Sequence, residues 1–181
     1  VVEHASFTFG IEGVSRTLLA QITRHRVASF SVQSQRYVKQ NGGAYLVPPS
    51  VAALGEEAVA RFEAQMDAIW NFYGEWLAAG IPAEDARFVL PNAAETRMVF
   101  TMNARELLHF FSLRCCSRAQ WEIRRLAWCM LGLVRREAPE LFGHAMRIRR
   151  MLRREDELRQ TGGNAQTFRS AYGACIRRRG G

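Results

Sequence analysis

Residues 96–114 read T-R-M-V-F-T-M-N-A-R-E-L-L-H-F-F-S-L-R, and this stretch decides the fold. Thr96 to Met102 reads as a strand. Asn103 to Glu106 (N-A-R-E) then resembles a capping box, in which Asn103 accepts from the first turn of a helix while Glu106 reaches back. A strand leading into a capped helix, within a chain whose other apolar patterns are mostly helical, predicts an α+β fold.

Working outward, Ser6 to Ile11 (S-F-T-F-G-I) alternates with the period of a half-buried strand, and Gly13 is expected to break it. From Val14 to Arg26 the apolar residues Val14, Leu18, Leu19 and Ile22 form one stripe of an amphipathic helix. Arg24, His25 and Arg26 then fall in its last turn, where positive charge suits the helix dipole. Ser29 to Arg36 is a polar stretch, Asn41-Gly42-Gly43 a turn, and Pro48-Pro49 ends the short run Ala44 to Val47.

A long helix is expected from Val51 to Ala79, with Ala58, Phe62, Met66, Ile69, Trp70, Tyr73 and Leu77 inward, stopped by Gly80 and Pro82. Pro82 to Phe88 reads as a short helix. Ser117 to Gln120 is a second capping signature opening a helix to Arg136, with Pro139 as a stop. The expected architecture is one antiparallel or mixed sheet flanked by several helices, one of them long.

The chain has 181 residues, 48% of them hydrophobic, enough to bury a core and too many for a disordered protein. No apolar run approaches the ~20 residues that cross a bilayer, and no secretory signal opens the chain. It begins at Val1 with residues that already read as structured, so an upstream segment is expected to be missing. Cys115, Cys116, Cys129 and Cys175 include an adjacent pair and no C-x-x-C, which argues against a disulfide framework and against a metal site. The compartment expected is a reducing cytoplasm.

Residues 1–144 carry 15 basic and 14 acidic residues, whereas residues 145–181 carry 10 arginines against three acids. The expected organisation is therefore a domain over 1–144 and an arginine-rich tail over 145–181. The near-neutral body gives no reason to expect nucleic acid as its partner.

Three clusters carry chemistry. Arg24-His25-Arg26, then Ser34, Gln35, Arg36 and Tyr37, lie in a region from Gln21 to Tyr37 with no Asp or Glu. Helix-end arginines are usually solvated or paired with acids; here no acid is near in sequence, so an external anion is expected. Arg105 and His109 lie four residues apart on one helix face behind Asn103, a pattern that a plain surface histidine also satisfies. Arg114 precedes Cys115 and Cys116, which have arginines nearby but no histidine at a telling spacing, so both thiols read as packing residues.

These residues resemble the flavin-dependent thymidylate synthase family. Its signature, R-H-R followed after seven residues by S, is matched by Arg24-His25-Arg26 and Ser34. Further matching blocks are Leu90 to Arg114, Arg118 to Ala127 and Val2 to Phe9, so the resemblance covers roughly residues 1–144. It implies FAD- and NADPH-dependent reductive methylation of dUMP to dTMP, with methylenetetrahydrofolate as carbon donor, in a homotetramer with sites at subunit interfaces.

Carried over by position, the resemblance implies that Gln21, Arg24, Ser34, Gln35, Arg36, Arg87 and Arg114 bind dUMP, with Arg114 activating the uracil ring. It implies that Glu3, Arg24, His25, Arg26, Asn103, Arg105 and His109 lie at the FAD. Val32 departs from the Glu or Gln usual in the family, and the upstream histidine and small hydroxyl residue of the family's site have no counterpart here. The alternatives are an inactive family remnant and an arginine-rich nucleic-acid-binding module acting through the tail.

Overall fold

The computed structural model describes residues 1–35, 43–143 and 176–177. Strand β1, Ser6–Ser15, is longer than expected. It passes through Gly13, whose φ of 67° is a left-handed conformation open to a residue without Cβ. Helix α1, Arg16–Ile22, is shorter than the expected Val14–Arg26. The amides of Arg24 and His25 reach back only three residues, to the carbonyls of Gln21 and Ile22 at 3.4 and 3.1 Å, and this tightening ends the helix. Arg24, His25 and Arg26 therefore lie beyond α1 and not in its last turn.

Strand β2, Ser29–Val32, arises within the stretch that looked merely polar, and β3 is Glu95–Asn103. With the two-residue strand β4, Ile176–Arg177, they form an antiparallel sheet in the order β2-β3-β1-β4. Gly10 is opposite Arg177 and Ile11 opposite Ile176. The remainder of the expected tail lies outside the described residues. The fold is α+β, as expected. Among the described residues no helix is long and apolar enough to cross a membrane.

By contact the chain divides into two compact units, one of Val1–Ile11, Gln21–Ser31 and Val99–Gly181, the other of Glu12–Ala20 and Val32–Met98. In the first, the Ala104 amide donates to the Ala5 carbonyl at 2.8 Å and the Thr8 and Thr101 hydroxyls lie 2.9 Å apart. Helix α2, Ala104–Arg114, starts where the capping signature places it: Asn103 Oδ1 accepts from the Glu106 amide at 2.9 Å. Helix α3, Trp121–Glu137, opens later than the second signature suggests. Gln120 is itself the cap, because its Oε1 reaches the amides of Glu122 and Ile123 at 2.9 and 3.2 Å. Pro139 does not merely stop the chain; it starts the short helix α4, Pro139–Phe142, where its missing N–H costs nothing.

The core of this unit is aromatic. Phe100, Phe110, Phe111 and Phe142 are fully buried. Ring centroids step from Phe9 to Phe100 at 6.1 Å, on to Phe110 at 6.2 Å, to Phe111 at 5.7 Å and to Phe142 at 6.1 Å. Stacked, tilted and edge-to-face pairs of this kind add to the burial of their area.

In the second unit the expected single long helix is two, α5 at Pro49–Ala52 and α6 at Glu56–Ala78. Gly55 separates them with φ of 102°, outside any helical conformation. The apolar stripe is as expected: Met66 and Tyr73 are buried, and Ala58, Phe62, Ile69, Trp70 and Leu77 half-buried. Helix α7, Ala83–Ala86, runs into a 3-10 turn at Arg87–Val89. Ala44 and Leu46 add backbone bonds to Glu95 and Ala93 at 2.9 and 3.0 Å.

Phe100 sits where the aromatic chain crosses β3, so Phe100→Ala is expected to destabilise the protein by about 3–5 kcal/mol. Urea unfolding checks this; a loss below about 1 kcal/mol means the ring is not part of a close-packed core.

Candidate active site

Three residues of α2 at successive spacings of four, Glu106, Phe110 and Arg114, share one helix face and all meet His25. Arg114 Nε donates to His25 Nε2 at 3.0 Å. The imidazole meets the Phe110 ring edge-on at 4.9 Å. Its other nitrogen, Nδ1, lies 3.9 Å from Glu106 Oε1. His25 is only 6% exposed, in contrast to the exposed Arg24 and Arg26 on either side.

The electrostatics follow from that burial. Desolvation, then the Arg114 guanidinium and His109, push His25 down to about 4. The ring is therefore neutral at ordinary pH and accepts at Nε2. Arg114 is itself lowered from the usual guanidinium value, by burial first and by the neighbouring Arg24 second. Among the described residues Arg114 has no carboxylate partner within salt-bridge distance. Two cations held together without an acid between them leave positive charge for something else to neutralise.

Arg114 also lines an open cleft of about 280 Å³ with Ser112, Leu113, Cys116, Arg118 and Ala119. The two adjacent thiols differ. Cys115 is buried in the core, whereas Cys116 is half-buried at the cleft. A hydrogen bond from the Arg118 backbone, then one from its side chain, pull the Cys116 thiol below its usual value. Packing accounts for Cys115 alone.

The other expected residues are divided between the two units. Arg105 Nη1 is 3.0 Å from Glu3 Oε1, so two residues assigned to the flavin neutralise each other at the surface, with 72% and 58% of their side chains exposed. Asn103 commits its Oδ1 to the helix cap. Gln21 is half-buried and His109 exposed, both in the same unit as Arg114. Ser34, Gln35 and Arg87 belong to the second unit. Arg36 lies outside the described residues.

In the second unit Arg87 Nε donates to the Glu84 carbonyl at 2.9 Å, which fixes the guanidinium without neutralising it. Burial first, and Arg87 second, lower Arg16. Arg16 thus stands beside Arg87, a second pair of neighbouring arginines. Neither Arg16 nor Glu106 is among the residues picked from the sequence. A basic residue just before the helical stripe and an acid one position off the Arg105–His109 face were the only signals, and both are commonplace.

A family model described as thymidylate synthase complementing protein matches residues 1–140. A flavin-dependent thymidylate synthase of Geobacter sulfurreducens is 58% identical over 147 residues, 80% of this chain and 63% of that protein. Proteins of the same name are 54% identical in Nitratidesulfovibrio vulgaris and 50% identical in Sulfolobus acidocaldarius, again over 80% of this chain, and over 62% and 55% of their own lengths. The chain thus spans about three fifths of the length of the curated relatives it matches.

Between the ordinary imidazole value of 6.5 and the folded value of about 4, the unfolded chain binds a proton that the folded chain rejects. The stability owed to neutral His25 is therefore fully present above about pH 6.5 and is lost as pH falls toward about 4. Thermal melts across that window are expected to fall more steeply for the wild type than for His25→Gln. Parallel curves would mean that the buried imidazole is not held neutral.

Proposed function

Because this chain belongs to the flavin-dependent thymidylate synthase family, we propose that it serves the FAD- and NADPH-dependent reductive methylation of dUMP to dTMP, with methylenetetrahydrofolate as carbon donor. The observation that carries the reading is Arg114: a guanidinium oriented through Nε by a neutral histidine, lining a cleft, and not paired with an acid among the described residues. Attack by uracil C5 on an electrophilic carbon builds negative charge on the pyrimidine. A fixed cation aimed at that charge lowers the barrier in the way an oxyanion hole does.

The donor set fits FAD. Arg24 and Arg26 are exposed, and with His109 they present cationic and ring-bearing groups suited to a pyrophosphate and an electron-rich ring system. When bound, the flavin supplies the redox chemistry, which no side chain can provide. The chain's own residues bind and orient. Arg87, pinned by the Glu84 carbonyl, and its neighbour Arg16 suit the dianionic phosphate of dUMP, with Ser34, Gln35 and Arg36 assigned to the same nucleotide. Gln21 and Arg24 are assigned to the nucleotide also, while His25, Asn103 and the Glu3–Arg105 pair are assigned to the flavin side. Completing such a site at a subunit interface of a homotetramer, in the cytoplasm, is part of the same proposal.

Arg114→Ala is expected to reduce turnover by ~10²–10³ while leaving flavin content unchanged. Lysine should restore little, since it lacks the planar fork that His25 orients. Steady-state rates beside the absorbance of bound flavin read both quantities. Near-normal turnover in the alanine variant would take Arg114 out of the reaction.

A further inference from the structure

We propose that Glu106 is a positioning residue, which holds the His25 imidazole in the tautomer protonated at Nδ1 so that Nε2 stays free to accept from Arg114. The inference rests on the reading of Arg114 given above. A guanidinium Nε–H can only donate, so a 3.0 Å contact with it requires an unprotonated Nε2. The neutral ring then carries its proton on Nδ1, and that N–H points to the side where Glu106 Oε1 stands at 3.9 Å. A span of that length closes through a small rotamer change or a bridging water.

The groups facing His25 are Glu106, Phe110, Arg114 and His109, with Arg24 behind Arg114. Glu106 is the one acid among them. Phe110 offers a ring edge, and the other three are cationic or can become so. Remove the carboxylate, and within that set only the Arg114 contact itself still opposes transfer of the ring proton to Nε2. Two donors would then confront each other at 3.0 Å, and Arg114 would swing away.

Burial makes this matter. With 20% of its side chain exposed, Glu106 acts through a medium that screens charge less than open water. The same logic governs metal-bound histidines, whose far nitrogen is oriented by a carboxylate at a loss of about 10–100-fold when that partner is removed. Glu106 also contributes to the helix cap, but through its backbone amide alone, so changing its side chain leaves that bond intact.

The test compares Glu106→Leu, Glu106→Ala and Glu106→Gln with the wild type in the intact flavin-loaded protein. Nitrogen-15 spectra of the His25 ring read the tautomer independently of turnover. The wild type should be protonated at Nδ1, and the leucine and alanine variants should shift toward protonation at Nε2. Glutamine, whose amide oxygen still accepts, should recover the Nδ1 form and part of the rate. Turnover in the leucine and alanine variants should fall about 10–100-fold, with kcat and kcat/KM reduced alike, as befits a group that matters in the transition state.

An unchanged tautomer in both the leucine and alanine variants overturns the proposal, whatever their rates. A shifted tautomer with undiminished turnover overturns it as well. Arg114→Ala, run in parallel, separates the two failures. If that variant keeps its activity, the reading of Arg114 falls on its own account; if it loses activity while the Glu106 variants keep the wild-type ring, only the role of Glu106 falls.

Discussion

The hydrogen bond from Arg114 Nε to His25 Nε2 joins residues 89 positions apart, and most of the local structure of its unit bears on that one contact. It exists only if α1 stops at Ile22, since a further helical turn would carry His25 around the axis and away. It also needs α2 to start at Ala104, because the phase of the helix decides which side chains share a face. The cap at Asn103 sets that phase, and the buried Phe110 presses the imidazole from the side. Phe110 in turn leans on Phe100 and Phe111. The aromatic core therefore does more than stabilise the unit; it fixes the wall against which a neutral histidine is held.

Some of this was legible in the sequence. The strand before Asn103, the Asn103 cap and the inward stripe of the long helix could all be read from local pattern. Two classes of feature could not. Gly13 was expected to end a strand and lies inside a continuous one, whereas Gly55 fell within an expected helix and divides it, and only the surrounding pairing and packing decide between those outcomes. Gln120 likewise caps α3 from a position that short polar caps usually hold.

The site shows the same limit. Arg105 and His109 share a face and drew attention for it, yet the face that meets His25 is the adjacent one, with Glu106, Phe110 and Arg114. One step around a helix is about 100°, so neighbouring faces of α2 divide between the exposed Arg105 and His109 and the residues that meet His25 directly. Arg16 was out of reach for a different reason. Its significance comes from Arg87, and a neighbour 71 positions away leaves no trace in a local window.

In each unit burial first, and then a neighbouring arginine, lowers one guanidinium's affinity for the proton: Arg114 beside Arg24, and Arg16 beside Arg87. Such pairs work against folding, since like charges repel and each guanidinium loses some hydration. A carboxylate between them would relieve the strain, and the sequence can supply one elsewhere, as Glu3 does for Arg105 at the surface. At Arg87 the structure uses a backbone carbonyl, and at Arg114 a neutral imidazole. Both acceptors fix direction while leaving the positive charge intact. A neutral acceptor is the only kind that does both, because an anion would orient the guanidinium and cancel it together. That distinction explains why His25 must be buried: an exposed imidazole near pH 6.5 would spend much of its time protonated, unable to accept and repelling the cation it is meant to hold.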